Sequence, residues 1–387
     1  MSVAFDSNVT LTVEIAFDSN PLDSSQTYTD VSAFLRRFSI QRGRATNLSQ
    51  FNPGSATVVL DNRDNRFSPN QTTHYYDSTN NRSKVQPLKK IRIKAAFGGT
   101  TYIIFSGFVE NFPANYPGQG TDAEVKIKCI DAFKLFNNTT LDGFGWNLGI
   151  STLGVTTRLT LTQAQELSSV RVKNILDSFG YSEQQISTGQ LEVQVQPSTD
   201  TVLAALRAVE LAENGTFFIA ADGKATFRDR NFRLTNTTTP AATFGQGVGE
   251  LNYVDIKSSF DDDKIVNTVQ RTRTGGSKQT AVSSDSVDRF GSNVLTQSGT
   301  LNVSDANVLS IAEQLVVAND IPQTRIESLS FTPKANTSLW TKALGLDLGS
   351  FVEAKVTTGA GTTETFELFI ERIKHTVDAT NKSWNWF

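Results

Sequence analysis

The sequence predicts a mainly β protein with α+β insertions, and three observations carry that prediction. Apolar and polar residues alternate strictly in runs near both ends of the chain. Helical periodicity is confined to three segments. Turns rich in Gly, Thr and Asn separate the runs. Period-two alternation marks antiparallel strands with one buried face.

In "LTVEIAF" Leu11, Val13, Ile15 and Phe17 share one face, with Thr12, Glu14 and Ala16 on the other. "IRIKAAF" from Ile91 and "EVKIKCI" from Glu124 repeat the pattern, as do "LEVQVQ" from Leu191 and "VEAKV" from Val352. Cys129 falls on the apolar face beside Val125 and Ile127, which makes it a small core hydrophobe. The first long helix is expected over 199–214, capped by Thr199 or Asp200 and stopped at Gly215. A second is expected over 304–320, opened by Ser304 or Asp305 and closed before Pro322; a shorter one over 171–181 ends at Gly180. Between them, "GTFFIAADGKATFRDR" is a hairpin turning at Asp222-Gly223, because Gly accepts positive φ without strain.

Polar linkers at 137–149 and 235–249 set off the helix–hairpin middle, giving domains 1–140, 150–245 and 246–387. The outer two are β-rich and share a faint repeat. "KAAFGGTTYIIFSGFVENF" from Lys94 lies beside "KVTTGAGTTETFELFIERI" from Lys355: strand, Gly/Thr turn, strand, then Phe-(Val/Ile)-Glu. Alternation places Val109 and Ile370 in buried positions and sends Glu110 and Glu371 to the opposite face. An Asp at Val109 or Ile370 is therefore expected to unfold a domain, and a Lys at Glu110 or Glu371 to leave folding nearly intact.

Composition excludes more than it assigns. With 387 residues the chain has ample core for two or three domains, and a net charge of −3 gives no basic signature for nucleic acid. One cysteine rules out an intrachain disulfide. "MSVAFDSNVT" lacks the basic and apolar regions of a signal peptide, and no apolar run is long enough to span a bilayer. The two histidines, His74 and His375, provide no zinc spacing and no nucleophile motif. "DNRDNRFSPNQT" has the outline of a calcium loop, but Arg63, Arg66 and Thr72 stand at its third, sixth and twelfth positions, so salt bridging is expected there. The acidic cluster Asp261–Asp263 reads as a solvated turn, and the basic run 84–94 as the wet face of a strand. No catalytic, cofactor-binding or metal residues are expected. The pattern suggests a protein whose surfaces are its function.

At this point the chain resembles the tail-hub proteins of long-tailed bacteriophages, also called baseplate-hub or minor tail proteins. Leu60, Asn62, Phe67 and Pro69 match that family's Leu-x-Asn-x-x-x-x-Phe-x-Pro element. "FSGFVENF" around Gly107, the helix–hairpin ending in Arg228 and Arg230, "DDKIVNTVQRTR" with Asn267, and the closing segment with Trp384 follow in the family's order. The resemblance implies two tube-like antiparallel β-barrel domains flanking the α+β helix–hairpin domain. Phe67 would plug a barrel end, while Asp61, Asp64, Arg63 and Arg66 pair with each other or with a neighbouring subunit. It further implies a homotrimeric ring matching a six-fold tail tube to a three-fold tip. The implied role is a structural virion protein at the tail tip, made in the host cytoplasm, not an enzyme and without cofactors. Implied partners are the distal tail or tail-tube protein, the tape measure protein, and tip or fibre proteins; DNA is met only in passage and no membrane is stably entered. The competing reading is a receptor- or carbohydrate-binding tail-tip protein, with or without cell-wall hydrolase activity. Its binding loops would expose aromatic residues, whereas Trp146, Trp340, Trp384 and Trp386 are dispersed.

Overall fold

The structure, a computed structural model, describes residues 3–5, 8–140, 165–195 and 201–387. The first part contributes β1 (Val9–Ile15), β2 (Leu35–Gly43), β3 (Asn52–Asp61), β4 (Lys90–Phe97), β5 (Thr100–Asn111), β6 (Glu124–Ile130) and the short helix α1 (Phe133–Asn138). Alternation is the cause: Val9, Leu11, Val13 and Ile15 are all fully buried while the residues between them face outward. Cys129 lies in the same core, its thiol pushed up by burial and therefore unreactive.

The middle unit comprises α2 (Ser168–Phe179), β7 (Gln184–Ile186), α3 (Val202–Glu213), β8 (Thr216–Ile219) and β9 (Ala225–Arg228). The helix–hairpin is as expected, with two changes at the ends of α3. Thr201 is the N-cap, its hydroxyl accepting the Ala204 N–H at 3.2 Å. Asn214, not Gly215, takes the left-handed closing position, with φ of 56°; Asn tolerates that region because its short polar chain bonds locally. The cap candidates Thr199 and Asp200 lie outside the described residues. The run from Leu191 yields only a two-residue strand, Glu192–Val193.

The last part contributes β10 (Asp255–Ser259), β11 (Thr268–Arg273), β12 (Gln279–Val282), β13 (Val294–Thr300), α4 (Asp305–Asn319), β14 (Arg325–Ser330), α5 (Ser338–Gly345), β15 (Phe351–Thr357), β16 (Thr363–Phe369), β17 (Arg372–Asp378) and β18 (Ser383–Trp386). Ser304 caps α4 as expected, accepting from the Asn307 N–H at 3.2 Å.

The main sheet runs β1-β4-β5-β6-β3-β2-β17-β18, every neighbour antiparallel, with the short strands Val3–Ala4, Thr29–Asp30 and Ala114–Asn115 added. It curls until its two edges meet around one apolar core. Phe5, beside one edge, packs edge-to-face on Trp384 of β18 at 5.6 Å and on Trp340 of α5 at 5.9 Å. Lys382 Nζ donates to the Ala4 carbonyl across the same seam. Side chains, not a backbone ladder, close the seam.

The boundary expected at 246 is crossed by this sheet. β17 and β18 do not stay with the other strands of 246–387; they extend the first sheet, with His375 opposite Ile40 and Trp386 opposite His375. The reason is the edge of β2, whose backbone groups need a partner. β17 supplies one, burying Ile373, His375 and Val377 and exposing Arg372, Lys374 and Thr376. The remaining strands form three small sheets: β10–β14, β12-β11-β13, and Thr243–Phe244 with β15 and β16.

The sequence repeat is a shared hairpin. β4–β5 and β15–β16 are both antiparallel pairs with a glycine turn. They diverge where the likeness seemed strongest: Phe108 to Asn111 continues β5, whereas Phe369 ends β16 and Glu371 begins the crossing to β17. Val109 and Ile370 are both buried, but in different cores.

Candidate functional site

The loop 61–69 at the end of β3 is built around Asn62. Asn62 is fully buried; its Oδ1 accepts the Phe67 N–H at 2.9 Å and its Nδ2 donates to Ser68 Oγ at 3.3 Å. Asn65 turns the chain with φ of 62°. The loop thus folds Phe67 back into the curled sheet, where it stacks on Tyr75 and meets Phe34 edge-to-face, both at 5.7 Å. The carboxylates are taken by neighbouring guanidinium groups: Asp61 by Arg63 and Arg36, and Asp64 by Arg66, which also covers the Phe34 ring at 3.8 Å. Both carboxyls lie below the usual range: burial works against the ionisation of Asp61, but its bonds to Arg63 prevail, and Asp64 is held down chiefly by its bond to Arg66. An Asn62→Ala change strands the buried Phe67 N–H and is expected to cost about 1–3 kcal/mol in urea unfolding.

The basic run is likewise consumed inside the chain. Lys84 pairs with Asp18 at 2.6 Å, Lys90 with Glu183 at 2.7 Å, and Lys94 and Arg92 with Glu14. It leaves no stripe of free cations for phosphates. Asp261 accepts from the Ser259 hydroxyl, while Asp262 and Asp263 face solvent. Among the described residues, no three His, Cys, Asp or Glu side chains converge.

Trp340, Trp384 and Trp386 are all buried; Trp146 lies outside the described residues. His375 is buried beneath Trp384, and its Nδ1 accepts the indole N–H at 3.2 Å. Burial, helped by the charge of Arg42, pushes its pKa down to about 3. Nearby Asp131 accepts the N–H groups of Gly54 and Phe133 at 2.5 and 3.0 Å, yet burial pushes its carboxyl up to about 7.

The two groups act oppositely on stability. Neutral His375 favours the fold above pH 6.5, and that contribution is lost as pH falls toward 3, because only the unfolded chain gains the proton. Asp131, with a raised folded pKa, contributes stability at low pH that is lost as pH rises through about 7. A comparison of wild type with His375→Gln cancels the Asp131 effect, which both proteins share, and glutamine can still accept from the indole. The stability of the variant relative to wild type is expected to rise by about 2 kcal/mol between pH 8 and pH 5, taking an unfolded histidine pKa near 6.5. A pH-independent difference in urea midpoints would refute the buried neutral histidine.

One junction, unforeseen in the sequence, ties the three parts together. Arg42 pairs with Asp347 at 2.6 Å, and Arg44 Nε with Glu371 at 2.6 Å; both arginines are nearly inaccessible. Glu371 also holds Arg233, from the helical turn Phe232–Thr235 that follows the β8–β9 hairpin. Arg207 of α3 donates to the Phe51 carbonyl, and Phe51 packs on Phe218 of β8 at 5.0 Å. No local pattern in the sequence marks this joint, because its partners lie far apart along the chain.

No family model matches the sequence, and no curated protein matches it. Solved structures do. A tail protein from Neisseria meningitidis MC58 superposes with TM-score 0.55 at 10% identity, over 98% of this chain and 95% of its own. The 43 kDa tail protein of prophage MuSo2 from Shewanella oneidensis gives 0.52 at 11%, over 97% and 96%. A prophage tail protein from Listeria monocytogenes EGD-e gives 0.50 at 11%, over 98% and 93%. The chain has the fold of phage tail proteins, across essentially its whole length.

Proposed function

We propose that the chain is a structural protein of a phage tail and acts as its hub. In this reading it closes the tail tube, links it to tip or fibre proteins and surrounds part of the path by which DNA leaves. The observation that carries it is the full-length likeness to three tail proteins. The surface agrees with a part built for assembly. Val254 and Phe260, flanking β10, are 71% and 68% exposed, and Val317 on α4 is 78% exposed. The two-stranded β10–β14 ribbon is largely open to solvent; such a ribbon gains stability when something covers it. The hub is a homotrimer in which these small sheets meet neighbouring copies and adjoining tail components, the tail-tube, distal tail and tape measure proteins among them. The chain works in the virion, without cofactor or catalysis.

Burial of three of the four tryptophans favours this reading over glycan binding, which needs aromatic rings on exposed loops. Light scattering with negative-stain imaging, alone and with purified tail tubes, tests it. A three-fold ring, free or capping the tubes, is the expected result. A chain that stays monomeric and leaves tube ends bare, or that degrades cell-wall polysaccharide, would overturn it.

A further inference from the structure

The segment "FRDRNFR", Phe227 to Arg233, ends β9 and enters a helical turn. It places three arginines, Arg228, Arg230 and Arg233, on the wall of a small open recess. The rings of Phe218, Phe232 and Phe369 line the same pocket. It sits where the hairpin, the turn before β15 and the end of β16 come together.

The guanidinium groups on this wall are unequally paired. Arg233 is neutralised by Glu371. Arg228 lies over the Phe232 ring at 4.1 Å and the Phe218 ring at 5.0 Å; the charge of Asp347 acts on it, but that carboxylate is bonded to Arg42, and among the described residues Arg228 has no carboxylate within ion-pair distance. The guanidinium of Arg230 makes no hydrogen bond or ion pair among the described residues. The acid closest to it in charge, Glu213, already accepts from Ser168 Oγ and the N–H groups of Gln190 and Leu191. Asp229, also on the wall, accepts the Asn231 N–H. Next to Arg230 is Arg271, fully buried, which donates through Nη2 to the Leu211 carbonyl at 2.8 Å while its Nε and Nη1 meet no acceptor. Gly349 keeps the space open: a Cβ there would stand 2.0 Å from Arg228 Nη1.

Guanidinium groups stay charged, and partly buried ones that no carboxylate bonds directly favour an added anion. A guanidinium fork matches a planar carboxylate, and phenyl walls suit an apolar stem behind it. The recess is small and suits the end of one side chain. We propose that it receives a single carboxylate, the aspartate or glutamate side chain of a docking polypeptide. This goes beyond the tail-hub reading and does not depend on it.

The probe is a blocked tetrapeptide with one glutamate, its glutamine counterpart, and inorganic phosphate, each titrated in a thermal-unfolding assay at constant ionic strength. The glutamate peptide is expected to raise the melting temperature saturably, the glutamine peptide not, and phosphate less at equal concentration. Arg230→Gln, whose side chain bonds nothing in the fold, should raise the half-saturating concentration at least tenfold without lowering the melting temperature of the free protein; Arg230→Lys should restore part of the affinity. Arg228→Gln should act likewise if it folds. Equal effects of the two peptides, an effect untouched by Arg230→Gln, or stabilisation by phosphate alone would each overturn the proposal.

Discussion

Trp384→Ala is expected to destabilise the protein by about 3–5 kcal/mol, the usual cost of removing a large buried ring. Trp384 is fully buried, with Phe5, Phe38 and Trp340 packed edge-to-face around it at 5.6, 6.0 and 5.1 Å. With Trp384 itself, these rings come from four separate stretches of chain. Truncation would open a cavity at the seam where the curled sheet closes and would leave His375 Nδ1 without its donor. The effect should reach the N-terminal strands, because β18 belongs to their sheet. Hydrogen exchange of β1 and β4 amides reads this directly. A loss below about 1 kcal/mol, or protection of β1 and β4 unchanged in the variant, would show that the closing strands are not part of the first core.

Glu371→Lys should cost about 3–5 kcal/mol, while the matching Glu110→Lys should change stability by less than about 1 kcal/mol. This corrects the expectation that both replacements leave folding nearly intact. Glu371 accepts from Arg44 and Arg233, and its carbonyl takes the Arg44 N–H at 2.9 Å. Burial works against its ionisation, but the two guanidinium groups prevail and hold the carboxyl below its usual range. Lysine there would put three cations together, and Arg44, with a side chain only 6% exposed, could not turn to water. Glu110 pairs with Lys134 at 3.0 Å, both about one-third exposed, and solvent screens that pair. Glu371→Gln should fall between the two. Urea unfolding of the three variants orders them, and equal midpoints for the two lysine variants would refute the distinction.

The strands of the first part, α4 and the helix–hairpin were legible in the sequence because each rests on local causes: period-two alternation, a cap, a glycine turn. Asn62 and Phe67 were legible as a motif, and the structure supplies its reason, a side chain holding the loop so that the ring enters the core. The repeat was legible as two hairpins. Its last five residues misled, because identical local patterns can continue a strand or cross to another sheet. What only tertiary structure decided are contacts between distant residues: β17 on the edge of β2, Arg42 with Asp347 across 305 positions, and Arg44 with Glu371 across 327. Alternation states which face of a strand is apolar but not which edge it joins. Charge in a sequence does not state whether an arginine meets a carboxylate, as Arg44 does, or lines a pocket without one, as Arg230 does. That difference comes from packing, which brings some charges together and leaves others facing open space.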